Sequence, residues 1–163
     1  MKFQLYIDYF EHLAEQHKAI RHNEDGKCHF SSLPEDAQNK FARKMYYPCV
    51  TLALGDEQWR DVGELRQRTE VSLFFVDHVR DTGDYALVQQ TLNAMGRVMH
   101  DFVRRMLRDC NRGVEAVKRL GMDNAQAVQV YMADAALYGW VLMFDLIGNF
   151  PKIDCNDSFL DHQ

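Results

Sequence analysis

The residues of this chain best suited to chemistry fall into three groups. His12, His17 and His22 recur every five residues, and neutral imidazole is the commonest side-chain metal ligand. A five-residue step on a helix turns about 140° each time, so the three do not share a face as a metal site requires. They are expected to be solvent-exposed. Asp77, His78, Asp81 and Asp84 lie together in "DHVRDTGD", and oxygen-rich loops bind Ca²⁺ or supply a general base. This loop lacks the ligand at every second position, the central Gly and the closing Glu of an EF-hand. Asp84 suits a helix N-cap and Asp81 suits the turn. Cys28 and His29 set a thiol beside an imidazole. Adjacent side chains rarely aim at one another, and a nucleophile and its base are normally assembled from distant positions.

No GxSxG, P-loop or dinucleotide-binding glycine pattern is present. The four cysteines, Cys28, Cys49, Cys110 and Cys155, stand far apart with no CxxC pair. That argues against a zinc knuckle and for reduced thiols. The basic cluster "RRMLRD" is expected to meet solvent or another subunit's carboxylates. These groups give no grounds for an enzyme, and no cofactor or metal is expected.

The elements that position these groups follow from periodicity. Residues 3–21 place Phe3, Leu5, Tyr6, Tyr9, Phe10, Leu13 and Ile20 mostly three and four apart. That predicts an amphipathic helix, stopped by "RHNEDGK". Ser32 and Glu35 form a capping box with Pro34 in the first turn, which predicts a short second helix to about Lys44. "YYPCVTLAL", 46–54, reads as a strand, and the polar stretch 55–67 as a long hairpin connection. "TEVSLFFVDH", 69–78, is apolar on both sides, as in a central strand or one covered by another subunit. From Asp84 a long helix carries Val88, Leu92, Met95, Met99, Phe102 and Met106 on one stripe. Residues 110–126 read as a loop, followed by two strands, "AVQVYMA" and "LYGWVLMFDLI", joined near "ADAA".

The predicted order is α-α-β-β-α-β-β. This is an α+β fold, with a small antiparallel or mixed sheet of about four strands and the long helix packed on one face. A chain of 163 residues suits one domain. It divides into a helical segment 1–45, an α/β core 46–148 and a surface tail 149–163. The net charge of -5 argues against a general nucleic-acid binder. Asp8, Glu11 and Glu15 interrupt any signal-peptide core, and no apolar run nears the roughly 20 residues that span a bilayer. A cytosolic site of synthesis without membrane association is expected.

The order of elements resembles the tail terminator (tail completion) proteins of tailed bacteriophages. The matching pieces are "YYPCVTLAL", "TEVSLFFVDH" running into "GDYALVQQTLNAMGRVMHDFVRRML", and "AVQVYMADAALYGWVLMFDLI". The likeness covers roughly residues 40–148; the longer helical N-terminus and the tail after Gly148 have no counterpart. The resemblance implies a virion protein of the tail or neck, assembled in the host cytoplasm as a ring, commonly a hexamer. Such a ring ends the tail tube, joins it to the head–neck connector proteins and lets DNA pass without specific binding. On that reading Val71, Leu73, Phe74, Phe75, Val76, Tyr138 and Trp140 are candidates for a subunit interface. Asp56, Glu57, Asp61 and Glu64 are candidates for a lumen-facing loop. Two other classes stay open. One is a small cytosolic module, dimeric through its sheet, that binds a ligand or partner. The other is a hydrolase or metal enzyme using Asp77, His78 and Asp81.

Overall fold

The apolar side chains on one face of the sheet have to be covered, and among the described residues two helices cover them. The computed structural model describes residues 3–32, 45–61 and 65–149, and the side chains within them except at 56–61, 65–67 and 148–149. The fold is α+β, built in the order α1 (Phe3–Gln16), β1 (Phe30–Ser31), β2 (Cys49–Asp61), β3 (Leu65–His78), α2 (Tyr85–Asn111), β4 (Leu120–Met132) and β5 (Leu137–Asn149). The five strands form one mixed sheet in the order β1-β2-β3-β5-β4. All neighbours are antiparallel except β1, which pairs in parallel with Val50 and Thr51 of β2. The predicted second helix and the tail from residue 150 lie outside the described residues.

β3 is the central strand, as its two-sided apolar pattern requires. Val71, Leu73 and Phe75 point to the inner face and are wholly buried. Val50 and Leu52 of β2 and Leu142, Phe144 and Leu146 of β5 lie beside them. α2 covers this face with Met95, Val98, Met99, Phe102 and Met106, and α1 adds Tyr6, Phe10 and Leu13. Phe102 meets Phe75 edge-on at 5.1 Å between ring centroids, and Phe10 meets Phe144 at 6.1 Å. Each such side chain contributes about 1.5–3 kcal/mol when removed from water, so this layer dominates the stability. Asp84 caps α2, accepting hydrogen bonds from the backbone N–H of Ala86 and Leu87 at 3.0 and 3.1 Å.

Three boundaries differ from the sequence reading. α1 ends at Gln16 instead of continuing to residue 21. Arg21, Asn23 and Asp25 all adopt positive φ, which turns the chain back and leaves Ile20 buried. The stretch 55–67 is not a loop: β2 continues to Asp61 and β3 begins at Leu65, with a bulge between Leu54 and Glu57. Hairpin arms beyond the core need no apolar face, so no alternation marks them. β4 likewise begins at Leu120, because a register shift between Gly121 and Gln126 breaks its pattern.

The outer sheet face carries a smaller cluster of Cys49, Val76 and Leu137 with Met45, Tyr47, Phe74 and Val130. Gly139 lies among them opposite Val76, and a Cβ there would collide with the Phe75 carbonyl. Gly139→Ala must therefore push β5 off β3. A loss of about 3 kcal/mol is expected, read as a lower urea midpoint, against little change for an alanine at the open position Gln129.

Candidate association surface

The chemistry-bearing groups are dispersed or engaged in holding the fold. His12 is exposed beside Gln16 and Glu15. His17 lies 3.5 Å from Asp101 of α2. His22 corrects the expectation of exposure: it is buried, because the left-handed turn folds it under Phe30. The backbone N–H of His29 donates to its Nδ1 at 3.0 Å, so the ring proton sits on Nε2, which donates to Glu11 at 3.2 Å. Cys28 donates to the Phe30 carbonyl and His29 to that of Pro48, so neither side chain serves the other. Burial pushes the Cys49 thiol up to about 12, which keeps it protonated and unreactive. Asp81 accepts from the Gly83 N–H within the turn before α2. Among the described residues no three His, Cys, Asp or Glu side chains gather closely enough to hold a metal ion.

Two buried carboxylates tie elements together. Asp109 is buried and accepts from Arg105 at 2.8 Å and from the Tyr9 hydroxyl at 3.1 Å, joining α1 to α2. Burial and the nearby carboxylate hold the Tyr9 phenol far above its ordinary range. Arg105 thus leaves the solvated basic cluster that the sequence suggested, while Arg104 stays outside with Asp101. On the outer face, Arg68 pairs with the buried carboxylate of Asp145 at the rim of a hollow of about 240 Å³. That pair already satisfies both charges, so the hollow offers no free ionic group from either.

The interface candidates divide by strand parity. Val71, Leu73 and Phe75 are corrected: the chain's own helices cover them completely, and they have no surface to offer another molecule. Trp140 also turns inward and donates its indole N–H to the Leu92 carbonyl at 2.9 Å, resting against Gly96. Phe74 and Val76 lie on the outer face, the first half-buried and the second buried in the small cluster. Tyr138 stacks on Tyr131 at 4.8 Å, and burial, then Tyr131 and then the neighbouring Tyr85, push its phenol up. Asp56, Glu57 and Asp61 belong to β2, and Glu64 lies outside the described residues.

Comparison with family models, curated proteins and solved structures finds no match. The surface must therefore speak through its own chemistry.

β4 ends the sheet, and no described strand pairs with its outer side. Asn124–Met132, "NAQAVQVYM", contains no charge, no proline and no glycine. Residues 126–129 are all exposed, as are Tyr131 at 60% and Met132 at 38%. Edge strands are normally protected by charges, proline or bulges, because their unpaired N–H and C=O groups template further pairing. The bulge protects only the first half of β4; from Gln126 to Met132 the pairing with β5 is regular. Tyr85, 83% exposed, adds aromatic surface near the same end. By its sequence this run is an ordinary strand. Its lack of charge was the available signal, but only topology shows that it is an edge.

One titration tests the environment at the β3–α2 junction. Asp77 is raised above the ordinary carboxylate range, chiefly by burial, although it accepts from the His78 N–H at 2.8 Å. A folded pKa above the unfolded one means that ionisation opposes folding, so stability grows as pH falls through the folded pKa. Asp77→Asn keeps the acceptor and removes the charge. Thermal melts should show a higher Tm for this variant at pH 7 and no difference at pH 3, where both chains are neutral at this position.

Proposed function

We propose that this chain is a non-enzymatic structural subunit that acts by associating with copies of itself, as a tail terminator-like ring component would. The observation that carries the proposal is the uncharged, exposed edge of β4. Exposed tyrosines beside it are the residue type that concentrates binding energy at interfaces. The sequence of elements supports the terminator-like form of the reading: a helix, a β-hairpin, a long helix on the sheet, and a second hairpin. On that form the partners are the tube and head–neck connector proteins, the place of action is the virion, and DNA passes through the bore. The acid-bearing arm of β2, with Asp56, Glu57 and Asp61, would face the bore and repel DNA.

A second reading is a small cytosolic dimeric module. It is favoured by the inequality of the two sheet edges. β2 is capped by β1 at Val50 and Thr51 and bulged after Leu54, whereas no described strand covers the outer side of β4. A head-to-tail ring needs two different adhesive surfaces, and a two-fold dimer needs one.

Native mass spectrometry over a concentration series separates them. A hexamer supports the ring, a dimer that grows no further supports the module, and a monomer throughout removes both. Replacing Asp56, Glu57 and Asp61 by lysine should leave the mass unchanged while lowering DNA passage, measured as infectivity of the assembled particle. Full infectivity would remove these residues from the bore.

A further inference from the structure

The regular half of β4 is complementary to itself. Resting on the reading that the chain self-associates, we infer that β4 pairs antiparallel with β4 of a second copy about a two-fold axis through Gln129. The seven residues Gln126–Met132 form the uninterrupted stretch of pairing with β5, and Gln129 is its midpoint. An axis normal to the sheet at that residue uses the whole stretch. Centred on Val128, the pairing would run into the bulged segment; centred on Val130, it would run into the turn at Ala133–Ala135.

The side chains agree with this register. Ala127, Gln129 and Tyr131 share the inner face, opposite Leu142, Trp140 and Tyr138 of β5. Across the axis, the partner's Tyr131 would lie over the small Ala127, and Gln129 would meet its own copy. Two primary amides both donate and accept, so that meeting leaves neither unsatisfied. On the outer face Val128 would oppose the partner's Val130, and Gln126 the partner's Met132. The stretch has no charge, so no like-charge contact arises from superposing it on itself. The result is one continuous ten-stranded sheet from two five-stranded ones. Pairing would also cover Val128, which is 46% exposed in the single chain.

Because a residue on the axis faces itself, the test is built there. Gln129 is exposed, and its substitution leaves the core untouched. Gln129→Lys and Gln129→Glu each place like charges about 5 Å apart across the axis. Sedimentation equilibrium should show each variant with a dimer dissociation constant at least about tenfold above wild type. An equimolar mixture should regain dimer as a Lys–Glu heterodimer. Hydrogen exchange on the wild-type chain should show the outward amides of 126–132 losing protection on dilution. If both variants dimerise as wild type does, or if mixing restores nothing, the two-fold β4 pairing is wrong while self-association stands. If the wild-type chain is monomeric up to about 100 µM, self-association by this chain falls with it.

Discussion

The structure depends on the one-sided burial of β3. Val71, Leu73 and Phe75 have no exposed surface, and they become buried only when α2 lies across them. The connection from His78 to Tyr85 is short, so α2 has little choice but to fold back over the strand it follows. Its stripe of methionines adapts to an uneven floor of Val, Leu and Phe, since unbranched thioethers fill gaps that stiffer side chains leave. α1 then closes the remaining flank, and the Asp109–Tyr9–Arg105 group fixes its position against α2. A buried carboxylate with two donors is costly to disturb, because removing either donor leaves part of its hydrogen bonding unmet. The polar group thus specifies the alignment of helices whose apolar surfaces alone would tolerate sliding.

Legibility in the sequence followed the strength of periodic burial. α2 was readable almost to the residue, because Met95, Met99, Phe102 and Met106 keep a 3.6-residue rhythm and Asp84 caps it. The centre of β3 was readable for a similar reason. The outer arms of β2 and β3 were not, since they extend past the core and their residues are not selected for an apolar face. β1 is two residues long and has no pattern to find. Aromatic residues misled in a systematic way. Trp140 and Phe75 looked like adhesive surface, yet parity places both under α2. Composition identifies what needs covering, but only strand order shows whether the chain itself provides the cover.

That distinction shifts attention from the sheet's faces to its edges. A face buries side chains, and the described amphipathic helices do that internally. An edge exposes backbone, and only another strand satisfies it in full. β2 receives a partial answer from β1 and a bulge, both of which discourage further pairing. β4 receives a bulge over its first half only. Asp123 stands at the bulged half, and no lysine or glutamate follows it before the turn. Leaving seven regular edge residues uncharged carries an aggregation risk unless something regularly occupies them.

The form of that occupant bears on the larger assembly. Head-to-tail closure would join β4 to a different surface on the next copy, and the bulged, partly capped β2 edge is a poor geometric match for a regular strand. Pairing of β4 with itself needs no second surface, and it uses the whole regular stretch that no described strand covers. A ring built from such pairs would then require a separate contact to carry it round, giving two layers related by two-fold axes instead of one polar layer. A terminator that must present different faces to tube and connector is polar by necessity. The symmetry of the β4 contact therefore adds to what the number of copies shows, since a polar ring and a layered one of equal size share a mass and differ in symmetry.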